Sequence, residues 1–453
     1  MFSRIRSSLL FLIALGLPLL GATSQGQTYS LAHPAIVEGP EAGYDSVTLT
    51  GIPAMGTWRA WSNVRWLHVM KGSASGIGDA SVHFQFDANQ GPTRSGLLMV
   101  GENIYKVTQA SPGYVAVQRL KKIISGLNGT AFVALDVAGN VYFTESTSRR
   151  STMKKWSAST HELSTLVSSG LTDPGGIAVD HSGNVYIANA DSGKIKKWNP
   201  VNRTLTTVIA SGLNNPLGLA VDESDNLYIA DCQHDAIKKF NPATGKLITA
   251  VSGGLNQPFG VAIYHGNIYI ADTANNAMKE CSPAAGQVTR QFSSDLISPG
   301  TVAADRMGNV YFAGGLFDSG EGVLEKYDPA TGSVTTLLSS IGVTGVAVES
   351  SKVMYIADGG QNAIDELSTI AYVDTTIKYE RANAGQDYLA PVLPKTRTLS
   401  GEDSPKSDES WLAIGPIRDG VVWFTFTANT TGAARAANIS LLGEQITVIQ
   451  GGE

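Results

Sequence analysis

The chain has 453 residues, with 33 Lys and Arg against 39 Asp and Glu and a net charge of −6. That is too long for one ordinary domain and too acidic for a nucleic-acid binder, which needs a basic face. Charged residues make up only 16% while glycines number 49, a balance that suits turn-rich β structure.

Residues 1–24 hold Arg4 and Arg6, an apolar run from Leu9 to Leu20, then Gly-Ala-Thr-Ser. A charged start, a short apolar core and small residues at the cut read as a secretory signal peptide. The apolar run is too short to span a bilayer, and no later stretch is apolar enough to do so. Export to the periplasm, the cell surface or the medium is therefore expected, with a mature chain starting near Gln25. Losing Arg4 and Arg6 takes the net charge from −6 to −8. No cysteine stands near the cut, so a lipid anchor is not expected.

Residues 25–112 alternate strand-like runs with Gly, Asn and Pro turns: TWRAWSNVRWLHV (57–69), VHFQFDANQGPTRSG (82–96) and LLMVGENIYKVTQ (97–109). This texture predicts a small immunoglobulin-like β-sandwich. Val82, Phe84 and Phe86 share one face, so His83 points the other way. Trp66 is expected in the core. Trp61 is expected outside, where it could stack on a sugar ring or pack against the next domain.

Residues 113–372 are organised by a repeat. SGLTDPGGIAVDHSGNVYIANADSGKIKKWNPVNRTLTTVIA is followed by SGLNNPLGLAVDESDNLYIADCQHDAIKKFNPATGKLITAVS, and Leu171, Leu213 and Leu255 are spaced by 42. Each unit holds four short β-type runs separated by turn residues, which describes a β-propeller blade. The tyrosine of the second run recurs as Tyr142, Tyr186, Tyr228, Tyr269, Tyr311 and Tyr355, giving six blades. LKKIISGL (120–127) matches a fourth strand without the three that precede it. It is expected to complete the sixth blade, so that the two ends of the ring share one sheet and no edge stays open. Cys232 and Cys281, the only cysteines, fall at opposite faces of neighbouring blades and are expected to stay unbonded.

The pattern PxGIAVDxxGNVYIADxxNxxIKKF resembles the NHL repeat over residues 120–370. The resemblance implies a six-bladed propeller and leaves the activity open, because such propellers include ligand sensors, protein- and RNA-binding modules and a few lyases.

Residues 373–453 repeat the theme of 25–112 in SWLAI (410–414), VWFTFTANTTGAARAANI (422–439) and LLGEQITVIQ (441–450). Trp66-Leu67 lines up with Trp411-Leu412, Asn89 with Asn429, Arg94 with Arg435 and Gln109 with Gln450. Both flanks resemble BACON domains, sandwich modules of bacterial exported proteins. The resemblance implies a bacterial source and a binding role, with carbohydrate or mucin as the suggested ligands. Trp411 is expected in the core and Trp423 outside it, a second candidate for stacking on a glycan.

The candidate site lies where second strands enter the loop to the third, at Glu145, Asn189, Asp231, Asp272 and Asp358. These could rim a ligand pocket, or each could simply cap the adjoining turn. Neighbouring members of the ring stand too far apart, ~10 Å or more, to share one calcium ion. No metal-ligand spacing of His or Cys occurs, so neither a metal nor a cofactor is expected. Two blades break the repeat on this face. Blade one carries Arg149 and Arg150, and blade five expands to Gly314–Gly322 with Phe317, Asp318 and Glu321. These loops, with Asp231, His234 and Asp272 between them, are the predicted ligand-binding residues, because loop departures can carry specificity at little cost to the fold. VYFTE (141–145) is similar to a motif of virginiamycin B lyase, but no catalytic His and Glu pair accompanies it. The first strands begin with Ala131, Gly176, Gly218, Gly260, Thr301 and Gly345, too inert for a lactonase-type metal site. The sequence therefore favours an exported, monomeric recognition protein for a glycan, peptide or protein, with a propeller lyase or lactonase as the alternative.

Overall fold

The structure is a computed structural model describing residues 28–52, 57–78, 80–147, 150–282, 287–292, 296–316, 322–329, 331–350 and 352–453. It is all-β apart from short 3-10 turns, and among the described residues no helix is long and apolar enough to cross a membrane.

The repeat becomes a run of four-stranded antiparallel sheets. The first five span residues 130–167, 174–209, 216–251, 258–292 and 296–339, each with its strands in sequence order. A sixth is formed by Val343–Val348, Val353–Asp358 and Ala363–Asp374, and its fourth strand is Tyr114–Ile124 from before the repeats. The first strand of each sheet packs on the first strand of the next, and that of the sixth packs on Thr130–Leu135 of the first. Second strands such as Val185–Asn189 and Leu227–Asp231 are buried throughout, so they read as unbroken apolar runs. The outermost strands, such as Thr204–Ile209, are largely exposed and rich in threonine.

The turn between first and second strands explains the DxxGN part of the repeat. Asp180 Oδ1 accepts the N–H groups of Ser182 (3.0 Å) and Asn184 (2.8 Å), while Oδ2 accepts the Asn184 amide (2.8 Å) and the Tyr186 hydroxyl (3.3 Å). The same device recurs at Asp136 with Asn140 and Tyr142, and at Asp305 with Asn309 and Tyr311. Tyr142, Tyr186 and Tyr311 thus each brace their own hairpin from inside.

Before the repeats, a four-stranded and a five-stranded sheet enclose one core of Val47, Trp58, Phe84, Leu98, Tyr105 and neighbours. After them, a four-stranded and a three-stranded sheet enclose Phe424, Phe426, Ile439, Val448 and neighbours. Residues on either side of 112 and of 372 share core clusters: Ala110 packs with Tyr114 and Tyr372. Val117, Ala371 and Val373, on the extended strands of the sixth sheet, belong to the same core cluster as Phe424.

Trp66 and Trp411 are placed differently from expectation. Each is only partly buried and lies under a guanidinium, Arg94 at 4.5 Å and Arg435 at 4.2 Å from the ring centre. Each arginine then reaches a fully buried glutamine: Arg94 Nε to Gln109 Oε1 (2.9 Å) and Arg435 Nε to Gln450 Oε1 (2.8 Å). The glutamine amides donate to carbonyls of the chain crossing below, Glu41 (3.2 Å) and Ala382 (3.0 Å). Trp58, buried with Nε1 donating to the Gly78 carbonyl, takes the core place in the first flank.

Candidate functional site

The ring at the ends of the second strands is built into the fold. Asn189, Asp231 and Asp272 each accept, at 2.7 Å, a backbone N–H from the loop that enters their own sheet: Thr172, Asn214 and Asn256. Glu145 does the same for Asn128 at 3.1 Å. Their remaining polar atoms are also engaged. Asp231 Oδ2 meets His234 Nδ1 at 2.8 Å, and Asp272 Oδ2 accepts from Asn275 (2.7 Å) and from the buried ammonium of Lys279. Glu145 Oε2 pairs with Lys154 at 2.6 Å. Asp231 and Asp272 are fully buried and tie loops to strands, whereas His234 is half exposed.

One aromatic pair joins inner strands of the first and fourth sheets. Phe132, on the first strand of the first sheet, stacks on Phe259, on the first strand of the fourth, with centroids 5.7 Å apart and planes 17° from parallel. Leu217 is at the same repeat position as Phe259. The glycines beside these residues allow the inner strands to close: a Cβ on Gly176 would collide with the Leu217 carbonyl, and one on Gly218 with that of Phe259. Sequence inspection weighed the small residues and missed the aromatic ones next to them, although the position is visibly variable as Gly175, Leu217 and Phe259.

Open space lies toward the rim of the loop face. A cleft of about 670 Å³ between the first two sheets is walled by Ser146, Thr147, Ser151 and Thr172, with Arg150 and the carboxylates of Asp173 and Asp191. A smaller one, about 340 Å³, shares Thr147 and Arg150 with it and adds Glu145, Thr152 and Lys154. Arg150 is exposed, and its guanidinium has no ion-pair partner among the described residues; its backbone is fixed by the Thr147 hydroxyl at 3.0 Å. A third cleft, about 580 Å³, lies between the fifth and sixth sheets and is lined by Gly314, Gly322, Gly342, Gly360, Ser340 and Thr344.

The expected site residues therefore separate. Arg150 borders two adjoining clefts. Asp231, His234 and Asp272 border none of these three. Arg149, Phe317, Asp318 and Glu321 lie outside the described residues. Trp61 is half exposed and sits in a cross-strand row with Met99 and the exposed Ile104. Trp423 is partly buried beside Tyr388 of its own sheet, with ring centres 5.1 Å apart. Cys232 and Cys281 are both buried and are not joined by a disulfide. No group of three or more metal-binding side chains occurs among the described residues.

Residues 401–451 match the BACON family, described as "Putative binding domain, N-terminal". No curated protein matches the chain. Among solved structures it is similar to a protein of unknown function from Bacteroides thetaiotaomicron, at 13% identity and a TM-score of 0.49, covering 77% of this chain and 99% of that one. It is similar to a gluconolactonase from Xanthomonas campestris at 14% identity and a TM-score of 0.47, covering 55% and 89%. A virginiamycin B lyase from Staphylococcus aureus aligns at 9% identity and a TM-score of 0.42, covering 57% and 100%. The chain is an all-β protein with a match to the BACON family near its C-terminus.

Proposed function

We propose that the protein is an exported recognition module: a six-bladed NHL-type propeller between two BACON-like, immunoglobulin-like sandwiches, binding a polar glycan or peptide on its loop face. Six four-stranded sheets in contact from each inner strand to the next support the blade count, as does the fourth strand of the sixth sheet coming from residues 114–124. The Trp–Arg–Gln latch that occurs in both flanks supports reading residues 28–112 as a second copy of the sandwich.

The observation that carries the binding reading is Arg150. An exposed guanidinium with no ion-pair partner among the described residues overhangs a cleft of about 670 Å³ walled by hydroxyls and two carboxylates. A guanidinium can hold a carboxylate by two parallel bonds, and the hydroxyls suit a polyhydroxylated or peptide ligand. Catalysis on the axis, as a lyase or lactonase, would need the space that Phe132 and Phe259 fill. A glycan and peptide array probed with the mature chain tests the reading. Arg150→Ala should weaken the best anionic hit about tenfold or more, the loss of one charged hydrogen bond at ~1.5–3 kcal/mol. Its thermal midpoint should stay that of the wild type. Unchanged affinity, or turnover of a lactone or streptogramin without saturable binding to the array, would overturn it.

A further inference from the structure

We infer that the sixth sheet holds a hard metal cation, Ca2+ in type, between Asp358 and Asp365. The argument starts from one diagonal of the repeated sheet. In the fourth sheet Asp272 pairs directly across from Ala277, and Lys279, two residues on, stands diagonally opposite on the same face. The Lys279 ammonium meets Asp272 across that diagonal. In the first sheet Glu145 and Lys154 occupy the same two places and pair at 2.6 Å. The architecture therefore brings an acid and a cation together at this point.

In the sixth sheet the acid is kept and the cation is not. Asp358 lies across from Ala363, and the diagonal residue is Asp365. Both side chains are almost wholly buried, at 1% and 2% exposure, and the Oδ2 of each has no hydrogen-bond partner. Asp358 Oδ1 is used by the Gln361 N–H at 3.0 Å. Lys122 is registered opposite Asp365 on the outermost strand, but its ammonium goes to Gln361 Oε1 at 2.6 Å. Two buried carboxylates on one diagonal of a sheet cost far more without a counter-charge than with one.

Oxygen-only donors select a hard ion over zinc or copper. Two carboxylates leave the rest of the shell to backbone carbonyls and water, which places affinity in the roughly 10⁻⁴–10⁻³ M range of extracellular calcium modules. The site also abuts the cleft between the fifth and sixth sheets: Gly342 and Gly360, both lining it, lie against Asp358 Oδ1. A bound ion would stiffen that wall.

The test uses the mature chain stripped with chelator, titrated with CaCl2 by calorimetry and followed by thermal unfolding. Saturable heat and a rise of several degrees in Tm are expected, both absent in Asp365→Asn. Asp365→Lys restores the pair of the sister sheets. It should lift the metal-free Tm toward the calcium-bound value and remove the response to calcium. Lys122→Met should leave calcium binding intact. No saturable heat up to millimolar calcium, an equal response in Asp365→Lys, or loss of Tm in metal-free Lys122→Met equal to the gain in Asp365→Lys would overturn the proposal, the last by making Lys122 the counter-charge.

Discussion

Residues of one type at one repeat position perform unlike tasks here, and substitution separates them. Asp272→Asn keeps an oxygen for the Asn256 N–H but leaves the Lys279 ammonium, 6% exposed, without its counter-ion. Breaking a buried pair in this way costs about 3–5 kcal/mol. Asp231→Asn keeps the equivalent loop bond to Asn214 and loses a contact to His234, which is half exposed. Its cost should be ~1 kcal/mol or less. Urea unfolding of the two variants checks the contrast, and equal losses would contradict it. The sequence displays the ring of acids plainly because the repeat aligns them. It does not display their partners, since Lys279 and His234 lie in differently varying columns. Asp365 was legible in the same sense: AIKKF becomes AIDEL, a charge reversal that only acquires meaning once the diagonal is known to be an ion pair elsewhere. Trp66 shows the opposite failure. Hydrophobicity alone assigns it to the core, whereas Arg94 makes a half-buried indole the better partner for a cation.

Among the elements, the inner strands set how much of the axis is open. Their glycines at 176 and 218 permit close approach, and bulk enters either just before that position, at Phe259, or at the position itself, at Phe132. Phe259 and Phe132 provide the bulk. Phe259→Ala should destabilise by about 3 kcal/mol, the loss of a large aromatic contact with partial collapse of the space left behind. Phe259→Leu, which copies Leu217 of the neighbouring sheet, should recover most of that. Thermal and urea unfolding measure both; an Ala variant as stable as wild type would mean the stack contributes nothing. The strands themselves were readable because a period near 42 repeats the same turn chemistry, Asp with Asn four residues on, at the first-to-second-strand hairpins of the first, second, third and fifth sheets. The flanks were readable only as runs of alternating residues, since part of their pairing joins strands far apart in sequence, such as Lys378–Glu380 with Glu444–Gln450.

At the scale of the whole molecule, the first flank is tied to the sixth sheet by a buried cluster no local pattern announces. Lys352, in the turn between that sheet's first two strands, reaches Glu38 Oε1 at 2.8 Å and Asp45 Oδ2 at 2.9 Å. Burial alone would lower the Lys352 ammonium, but Glu38 and Asp45 hold it charged above its ordinary range. One cation cannot satisfy two buried anions, and burial pushes Glu38 from 4.5 up to about 8, against the pull of Lys352. Glu349, in the same turn, is pushed by burial to about 7. Between 4.5 and these values the folded chain keeps protons that the unfolded chain has released, so stability must fall as pH rises through that window. His83, on the same flank, works in the other direction. Burial, and then Arg306, depress its imidazole from 6.5 to about 4, so its contribution is lost as pH falls through that range. The alkaline limb can be isolated by Glu38→Gln, which keeps the size of the side chain and removes its charge. From pH 5.5 to pH 8.5 the wild-type thermal midpoint should drop, and the drop should be clearly smaller in Glu38→Gln, because the proton that the folded state binds in excess is no longer there to lose. Lys352 retains Asp45 in the variant, so the flank should stay docked at pH 5.5. Parallel pH profiles for the two proteins would show that Glu38 titrates normally and that the cluster carries both negative charges at neutral pH.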